Sequence, residues 1–421
     1  MRIGYYAHHH GSGHCRQADK LAALLPVELQ SQLTVFTNLA ADAYTFTTIT
    51  ESQIVRLNAE DERPDDVLPG RAGQYWQPNS MHYSPVGNSD IQTRSWQILD
   101  GIKQRQIDIM IIDVSAEVAM LCRAASVPYL YVRLAGIRDD SAHVSAFTGA
   151  LGLLAPYPQA LEALMTPDWM RQKTLYLDFL PAANSKPLTY EVFIQLLRTS
   201  TSNTANERFD NAEQITSSKV TPINEDKRQP MIITVIKGYG GHETIDAKFP
   251  ELRNALPDAF IISLGPISDD MREFVDLATQ VDDVTPFIAH SDWLLMACGL
   301  NGIAQAYDYA TPLVVLPDHR PHQEQEVMAE ALIAQGRALS WEQFMGQIVE
   351  GHIQNLSPTH DNNDSLNIEN GNKNTILTNS AYSLTQDSMA KIFIISVATY
   401  PLAKSWFQEW LLPQLGLSPE I

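Results

Sequence analysis

Strand-like and helix-like segments alternate along this chain in two separate series, and this alternation limits the fold more than any other feature. In the first series, over residues 1 to about 190, apolar strand candidates occupy 2–7, 32–38, 53–59, 107–113 and 127–134. Helix candidates lie between several of them, such as the segments HCRQADKLAALL and SAEVAMLCRAA. Strand–helix alternation of this kind is typical of a parallel sheet covered by helices on both faces.

A second series begins after residue 230. Its strand candidates are 231–238, 259–265, 292–299 and 312–318, and helix candidates follow at 302–310 and 325–335. The predicted fold is therefore α/β, with two Rossmann-like, doubly wound parallel-sheet domains that face each other across a cleft. Ligands of open α/β sheets bind at the C-terminal ends of the strands, so we expect the chemistry between the two halves.

Polar stretches set the predicted domain boundaries. An N-terminal domain is expected over 1–190, and residues 199–229, which are poor in large apolar side chains, form a linker or an insertion. The C-terminal domain is expected over 230–400 and contains an Asn/Ser-rich, low-complexity loop at 353–380. The end of the chain, 401–421, contains an amphipathic segment with two tryptophans and is predicted to be a packing helix.

Charge and cysteine usage exclude several classes of protein. The net charge of -20 disfavours sequence-independent binding to nucleic acid. The N-terminus lacks a signal-peptide pattern, and no run of apolar residues is long enough to span a bilayer, so we expect neither secretion nor a transmembrane segment. Cys15, Cys122 and Cys298 are few, odd in number and far apart, which suits a reducing cytoplasm. The expected location is cytoplasmic.

The stretch HHHGSGH, residues 8–14, lies between the first predicted strand and the first predicted helix. Gly11 and Gly13 permit a tight turn and close approach of a ligand to the backbone. The helix start offers unpaired N–H groups and partial positive charge, which favour an anion such as a diphosphate. The same charge disfavours protonation of His14, so we expect a neutral imidazole that can act as a general base. A glycine turn with a capping histidine is the alternative interpretation.

Asp113 ends the strand candidate 107–113. Because strand C-termini gather at one edge of a parallel sheet, Asp113 is predicted to lie near His14. A carboxylate there would orient the imidazole and stabilise its protonated form. Capping of the helix that follows is an equally good interpretation of Asp113.

A second glycine-rich turn follows the strand candidate 292–299. Gly299, Asn301 and Gly302 lie where a helix begins, which predicts a second anion site. Gln305 lies on that helix, where its amide could hydrogen-bond a ribose hydroxyl. After the next strand, Glu324–Gln325 supplies polar groups suited to sugar hydroxyls.

These segments resemble the donor site of glycosyltransferases with two Rossmann-like domains, the GT-B family, in particular plant UDP-glycosyltransferases and the bacterial peptidoglycan N-acetylglucosaminyltransferases. Gly299 and Asn301 match the glycine-rich turn of that family, and Glu324–Gln325 matches its acidic–glutamine pair. The segment HGSGHCR matches its N-terminal G-x-G-H element, and His14 falls on the histidine proposed there as the base. The resemblance spans both halves of the chain.

The resemblance implies transfer of a sugar from a nucleotide-diphosphate sugar, with UDP as the expected nucleotide, to an acceptor hydroxyl by an inverting, metal-independent mechanism. His14, held by Asp113, would be the catalytic base. The segment IKGYGGHE would face the diphosphate, and VTPFIAHSD would flank the nucleobase; an ordinary loop is the alternative for each. The implied donor-binding residues are Gly11, Gly13, Gly238, Gly240, Gly241, Phe287, Ile288, Gly299, Leu300, Asn301, Gly302, Gln305, Glu324 and Gln325.

Two other functions stay open, one because Gln305 departs from the family pattern and one because another class of enzyme shares the architecture. Gln305 stands where the family has a ribose-binding glutamate, and an amide lacks the charge-assisted strength of a carboxylate. The chain could therefore be a non-catalytic sugar-nucleotide-binding protein. A sugar-nucleotide 2-epimerase shares the same architecture but needs no acceptor.

The expected partners are a nucleotide sugar and an unidentified acceptor, which could be a glycan, a lipid-linked intermediate or a small molecule. Residues 70–95 and 133–147 should select it, and by analogy the enzyme could contact a membrane peripherally. No cofactor and no metal site are expected. Asp139 and Asp140 are interpreted as solvated or capping acids rather than metal ligands.

Overall fold

A computed structural model gives the structure of this protein. It describes residues 1–8, 12–59, 81–82, 84, 87–180, 188–195, 197, 230–238, 243–281, 283–353 and 405–417. These residues divide into two compact units. The first consists of the described parts of Met1–Ala183, His322–Glu324 and Val397–Ile421, and the second of those of Asn184–Pro321 and Gln325–Ser396.

The first unit contains a seven-stranded parallel sheet with strand order β3-β2-β1-β4-β5-β6-β7. The first strand of the chain therefore lies inside the sheet, and successive strands are added first on one side of it and then on the other. The strands are β1 Ile3–Tyr6, β2 Leu33–Thr37, β3 Ile54–Arg56, β4 Ile109–Asp113, β5 Tyr129–Val132, β6 Gly152–Ala155 and β7 Thr174–Tyr176.

Helices cover both faces of this sheet, as they must when strands are buried on both sides. One face carries the apolar cluster around Tyr5, Val35 and Ile111, and the other carries the cluster around Tyr6 and Ile112. The α-helices are α1 Gly13–Ala23, α2 Val27–Gln30, α3 Ser89–Gln104, α4 Ala116–Ala124, α5 Ser141–Gly149 and α6 Asp168–Lys173, with 3₁₀ turns at Glu51–Gln53 and Gln159–Leu161.

The second unit repeats the arrangement with six parallel strands in the order β10-β9-β8-β11-β12-β13. Its first strand again lies inside the sheet. The strands are β8 Ile232–Ile236, β9 Phe260–Leu264, β10 Leu277–Thr279, β11 Trp293–Met296, β12 Leu313–Val315 and β13 Ala338–Ser340.

The helices of the second unit alternate with these strands. They are α7 Glu243–Asp246, α8 Phe249–Ala255, α9 Thr285–His290, α10 Leu300–Ala306, α11 Glu324–Ala334 and α12 Trp341–Val349, with 3₁₀ turns at Asp269–Phe274 and Pro321–Gln323. Residues 190–195 are also helical, and Phe193 and Ile194 pack into the core of this unit beside Phe260. The first residue of α11, Glu324, groups with the first unit.

The end of the chain packs on the first unit. A π-helical segment, Trp406–Leu411, leads into the short helix α13, Leu412–Gln414. Trp406 and Phe407 are buried in the same apolar cluster as Tyr5 and Val35. The two sheets confirm the predicted fold class of doubly wound parallel-sheet α/β.

Candidate active site

The carboxyl ends of β1 and β4 are neighbours in the first sheet, at the point where the strand order changes direction. The two strands pair in parallel from Ile3–Ile109 to Tyr6–Ile112, so Asp113 ends β4 one residue beyond the last pair. His14 is the second residue of α1, the helix that follows β1. Open α/β sheets bind their ligands at such a switch point, because the strand-to-helix connections diverge there and leave a crevice.

The structure brings His14 and Asp113 into contact. His14 Nδ1 lies 3.1 Å from Asp113 Oδ2. Asp113 is fully buried, whereas 18% of the His14 side chain is exposed. Because the carboxylate engages Nδ1, Nε2 is the ring nitrogen that would exchange a proton with a substrate. The alternative in which Asp113 caps the next helix does not hold, because Ser115 is the N-cap of α4 and accepts from Val118 N–H.

Tyr5 completes the surroundings of the carboxylate. Its hydroxyl donates to Asp113 Oδ2 at 3.1 Å. Burial and the nearby Asp113 raise the pKa of Tyr5 above its usual range, so the hydroxyl stays protonated and remains a donor. Tyr5 was not among the residues predicted for the site. The alternation of side chains along a strand could have identified Tyr5. Tyr5 pairs with Ile111, and residues 111 and 113 point to the same face of the sheet, so Tyr5 and Asp113 lie on one face.

The protonation behaviour of His14 differs from the expectation. Burial lowers the pKa of His14, but the charge of Asp113 and its hydrogen bond outweigh burial and raise that pKa above 6.5. We expected the start of α1 to keep the ring neutral. The carboxylate in direct contact is a stronger influence than the partial charge of a helix terminus. His14 is thus a more basic histidine than the sequence suggested.

The backbone beside Asp113 is strained. Val114 has a φ of 65°, in the left-handed region that β-branched residues rarely adopt. Its N–H donates to Val132 O at 3.2 Å, which ties the turn to the neighbouring strand β5. Strained residues of this kind persist where the surrounding structure holds them, and they cluster at functional sites. Here the strained residue directly follows Asp113 in the chain.

Residues 322–324 form part of the first unit through contacts with the loop after β5. Ile137 N–H donates to His322 O at 2.7 Å. Gly136 has a φ of 112°, and a Cβ there would lie 2.6 Å from His322 O, so only glycine fits. The Arg138 guanidinium pairs with the Glu324 carboxylate. Glu324, predicted to contact the donor, therefore has an ionic partner that the sequence analysis did not identify.

In the second unit, the glycine turns lie at the corresponding switch point, after β8 and β11, which are neighbours in the sheet. Gly238 follows β8, and Gly299 is the N-cap of α10. Among the described residues, no atom lies within 4 Å of a Cβ added to either glycine. The described part of the chain leaves room for a side chain at both positions.

The predicted polar residues of the second unit make contacts with their own backbone. Gln305 Nε2 donates to Asn301 O at 3.0 Å, one turn earlier in α10. Gln325 is buried and its Oε1 accepts from Asp318 N–H at 2.9 Å, which fixes the loop before α11. Each of these bonds uses only part of the hydrogen-bonding capacity of an amide, which has two N–H donors and an oxygen acceptor.

The remaining predicted residues divide into three groups. The side chains of Phe287 and Ile288 are buried in α9, so a nucleobase could meet only the backbone of these residues. Gly13 opens α1, and the first turn of α10 contains Leu300, Asn301 and Gly302. Outside the described residues lie Gly11, Gly240, Gly241, the segment 199–229 and nearly all of 353–380.

Comparisons with known proteins support a fold assignment. No protein-family profile matches the sequence, and no curated protein matches it. Solved structures, by contrast, do match this chain. UGT2 of Phytolacca americana, complexed with UDP-2-fluoro-glucose and pterostilbene, aligns with a TM-score of 0.51 at 13% identity, over 84% of this chain and 90% of that one.

Two further glycosyltransferase structures align in the same way. Glycosyltransferase SsfS6 of Streptomyces sp. SF2575, complexed with thymidine diphosphate, gives a TM-score of 0.50 at 12% identity, over 85% of this chain and 92% of that one. Spinosyn rhamnosyltransferase SpnG gives 0.50 at 12% identity, over 83% and 91%. At such identities the likeness concerns the fold, which is that of the GT-B glycosyltransferases. Within the described residues, no helix is both long and apolar enough to cross a membrane.

Proposed function

We propose that this protein is a glycosyltransferase that moves a sugar from a nucleotide-diphosphate sugar to an acceptor hydroxyl, with inversion at the anomeric carbon. The observation that carries the proposal is the contact of His14 Nδ1 with Asp113 Oδ2 at the switch point of a GT-B fold. A histidine oriented by a buried carboxylate is the usual arrangement for removing a proton from a hydroxyl.

The proposed reaction has one chemical step. The acceptor oxygen attacks the anomeric carbon as His14 Nε2 takes its proton, and the bond to the diphosphate breaks with its electrons on the departing phosphate oxygen. Asp113 stabilises the imidazolium that forms, and Tyr5 holds the carboxylate in place. The raised pKa of His14 increases its strength as a base, although the ring must be neutral at the start of the reaction.

We assign binding of the donor diphosphate to the glycine turns after β8 and β11. Backbone N–H groups at a helix start, with no side chain in the way, suit a doubly charged leaving group. The open space around Gly238 and Gly299 supports this assignment. With backbone donors in that role, the proposed step needs no metal ion and no further cofactor.

Uridine and thymidine nucleotides are the first donors to test, because two of the structural neighbours carry UDP-2-fluoro-glucose and thymidine diphosphate. The test is a thermal-shift screen of the purified chain against UDP, dTDP, GDP and their sugars, with NAD as the control. A ligand at a hundred times its Kd stabilises the folded state by about 2.7 kcal/mol. We expect stabilisation by one nucleotide family and none by NAD. No shift with any nucleotide at millimolar concentration would contradict the proposal.

Acceptor dependence then separates the candidate activities. The donor identified in the screen is incubated with glycans, lipid-linked sugars and small-molecule alcohols, and release of the nucleoside diphosphate is measured. Release that requires an acceptor supports transfer. Conversion of the donor sugar without an acceptor would favour the 2-epimerase. Donor binding without any conversion would favour the non-catalytic binding protein that Gln305 keeps open.

A further inference from the structure

Three imidazoles surround one carboxylate in the first unit, separately from the His14–Asp113 pair. Asp140 Oδ1 lies 2.9 Å from His82 Nε2, and Asp140 Oδ2 lies 2.6 Å from His143 Nδ1. His322 Nδ1 approaches the same Oδ2 at 3.9 Å. The ring of His143 is centred 4.6 Å from that of His82 and 4.7 Å from that of His322.

Three segments that are distant in sequence supply this cluster. Asp140 is the N-cap of α5, and His143 lies in the first turn of the same helix. His82 comes from the region before α3, and His322 from the turn that precedes α11. Asp140 also caps α5, because its Oδ1 accepts a hydrogen bond from the backbone N–H of His143 at 3.0 Å. A cap requires no imidazole, so capping leaves the three rings unexplained.

We propose that His82, Asp140, His143 and His322 bind one zinc ion. Imidazole nitrogens and a carboxylate oxygen are ligands that zinc prefers, whereas magnesium and calcium prefer oxygen alone. Four protein ligands make a closed, four-coordinate site, which is the type that stabilises structure rather than activating water. The proposal does not depend on the transferase activity.

The distances fit this coordination with small movements. The ligand atoms of His82, Asp140 and His143 lie within 4.8 Å of one another. Zinc bonds of about 2.0–2.2 Å in a tetrahedron place neighbouring ligand atoms about 3.3 Å apart. The observed separations of 2.6 Å to Asp140 Oδ2 and 2.9 Å to Asp140 Oδ1 therefore need to open by about 0.7 and 0.4 Å, and His322 needs to move inward.

The burial and the outer contacts of the cluster also suit a bound ion. His143 is buried, while about a quarter to a third of each of the other three side chains is exposed, which gives an ion a path from solvent. Glu117 Oε1 lies 3.9 Å from His82 Nδ1, the nitrogen that faces away from Asp140. At that distance the carboxylate makes no hydrogen bond to the ring, but its negative charge favours a cation bound nearby.

The test measures zinc binding to the full chain after removal of metal with a chelator, by calorimetry and by metal analysis of dialysed protein. We expect one zinc ion per chain at this site, no response to magnesium, and a tetrahedral Co²⁺ spectrum when cobalt replaces zinc. Asp140→Asn keeps an N-cap side chain on α5 but removes the carboxylate, so folding should persist while zinc affinity falls at least about tenfold. His82→Gln should cause a similar loss.

Two controls distinguish this cluster from other histidines. His319→Gln changes a histidine that is 92% exposed and outside the cluster, and zinc binding should not change. The double change His9→Gln and His10→Gln removes most of the N-terminal histidine run and should also leave the site intact. Zinc binding that survives Asp140→Asn and His82→Gln but disappears with the N-terminal double change would overturn the proposal. So would the absence of zinc binding at micromolar concentration.

Discussion

Replacing Asp113 by Asn should affect the reaction in two separable ways, and both follow from the geometry around His14. Asp113 contacts His14 Nδ1 at 3.1 Å, and its charge raises the pKa of the imidazole against the opposing effect of burial. Asn is nearly isosteric but neutral. The variant therefore loses stabilisation of the imidazolium formed in the reaction, and it also loses the influence that raises the pKa of the free enzyme's base.

The expected loss of kcat/KM is about 10²–10⁴-fold, the range over which a positioned general base contributes. At 1.36 kcal/mol for each factor of ten, this corresponds to about 3–5 kcal/mol of transition-state stabilisation. A charge-assisted hydrogen bond inside the protein contributes about 1.5–3 kcal/mol, so loss of that bond explains the lower part of the range. Misorientation of the ring explains the rest.

The pH profile provides the second readout. In the wild type, the base must be neutral, so kcat/KM rises with pH through the pKa of His14, which lies above 6.5. In Asp113→Asn, burial still lowers the pKa of His14, but the charge that raised this pKa is gone. The acidic limb of the profile should therefore move to lower pH, and the maximal kcat/KM should fall.

The assay is release of nucleoside diphosphate between pH 5 and 9, with Tyr5→Phe as the matched control. That variant keeps the carboxylate and removes one hydrogen bond, so its loss should be about tenfold or less. An acidic limb that stays in place in Asp113→Asn would refute the assignment of His14 as the titrating base.

Three further changes test other parts of the structure. Gly299→Ala should lower the melting temperature only slightly, because alanine is a poorer N-cap than glycine but its Cβ meets no described atom within 4 Å. It should weaken nucleotide binding about tenfold or more in calorimetry, and unchanged affinity would mean that the diphosphate does not bind at that turn. Val114→Gly should raise the free energy of unfolding by about 1 kcal/mol in urea denaturation, because relief of the positive φ exceeds the entropic cost of glycine. A lower free energy of unfolding in the variant would show that Val114 is not strained. Trp406→Ala should lower the free energy of unfolding by about 3–5 kcal/mol, because Trp406 is fully buried in the core of the first unit. A loss below about 1 kcal/mol would mean that the C-terminal segment packs weakly.

The fold could be predicted from the sequence because buried parallel strands have a distinctive pattern. In β4, every residue from Ile109 to Asp113 is buried, and the sequence shows a continuous apolar run that ends in an acid. Four short strands, β6, β7, β10 and β13, were not among the strand candidates. β7, β10 and β13 have three residues each, and their neighbours in the sheet rather than their own composition make them strands.

The candidate site could be predicted only in part. The meeting of His14 and Asp113 follows from the rule that strand C-termini share one edge of a sheet, so two sequence positions a hundred residues apart could be paired. The pKa of His14 could not be predicted, because its direction depends on a balance between burial and a contact distance. Arg138 and Glu324 are far apart in the sequence, and no local sequence pattern predicts that they pair.

The central claim is that His14 acts as the base in sugar transfer, and the most direct test compares His14→Ala with the wild type in one experiment. Nucleotide-sugar binding is measured by calorimetry, and acceptor-dependent release of the nucleoside diphosphate is measured in the same preparations. If His14 has this role, donor affinity should change less than about threefold while turnover falls by about 10²–10⁴-fold. Turnover within a factor of ten of the wild type, with binding intact, would contradict it.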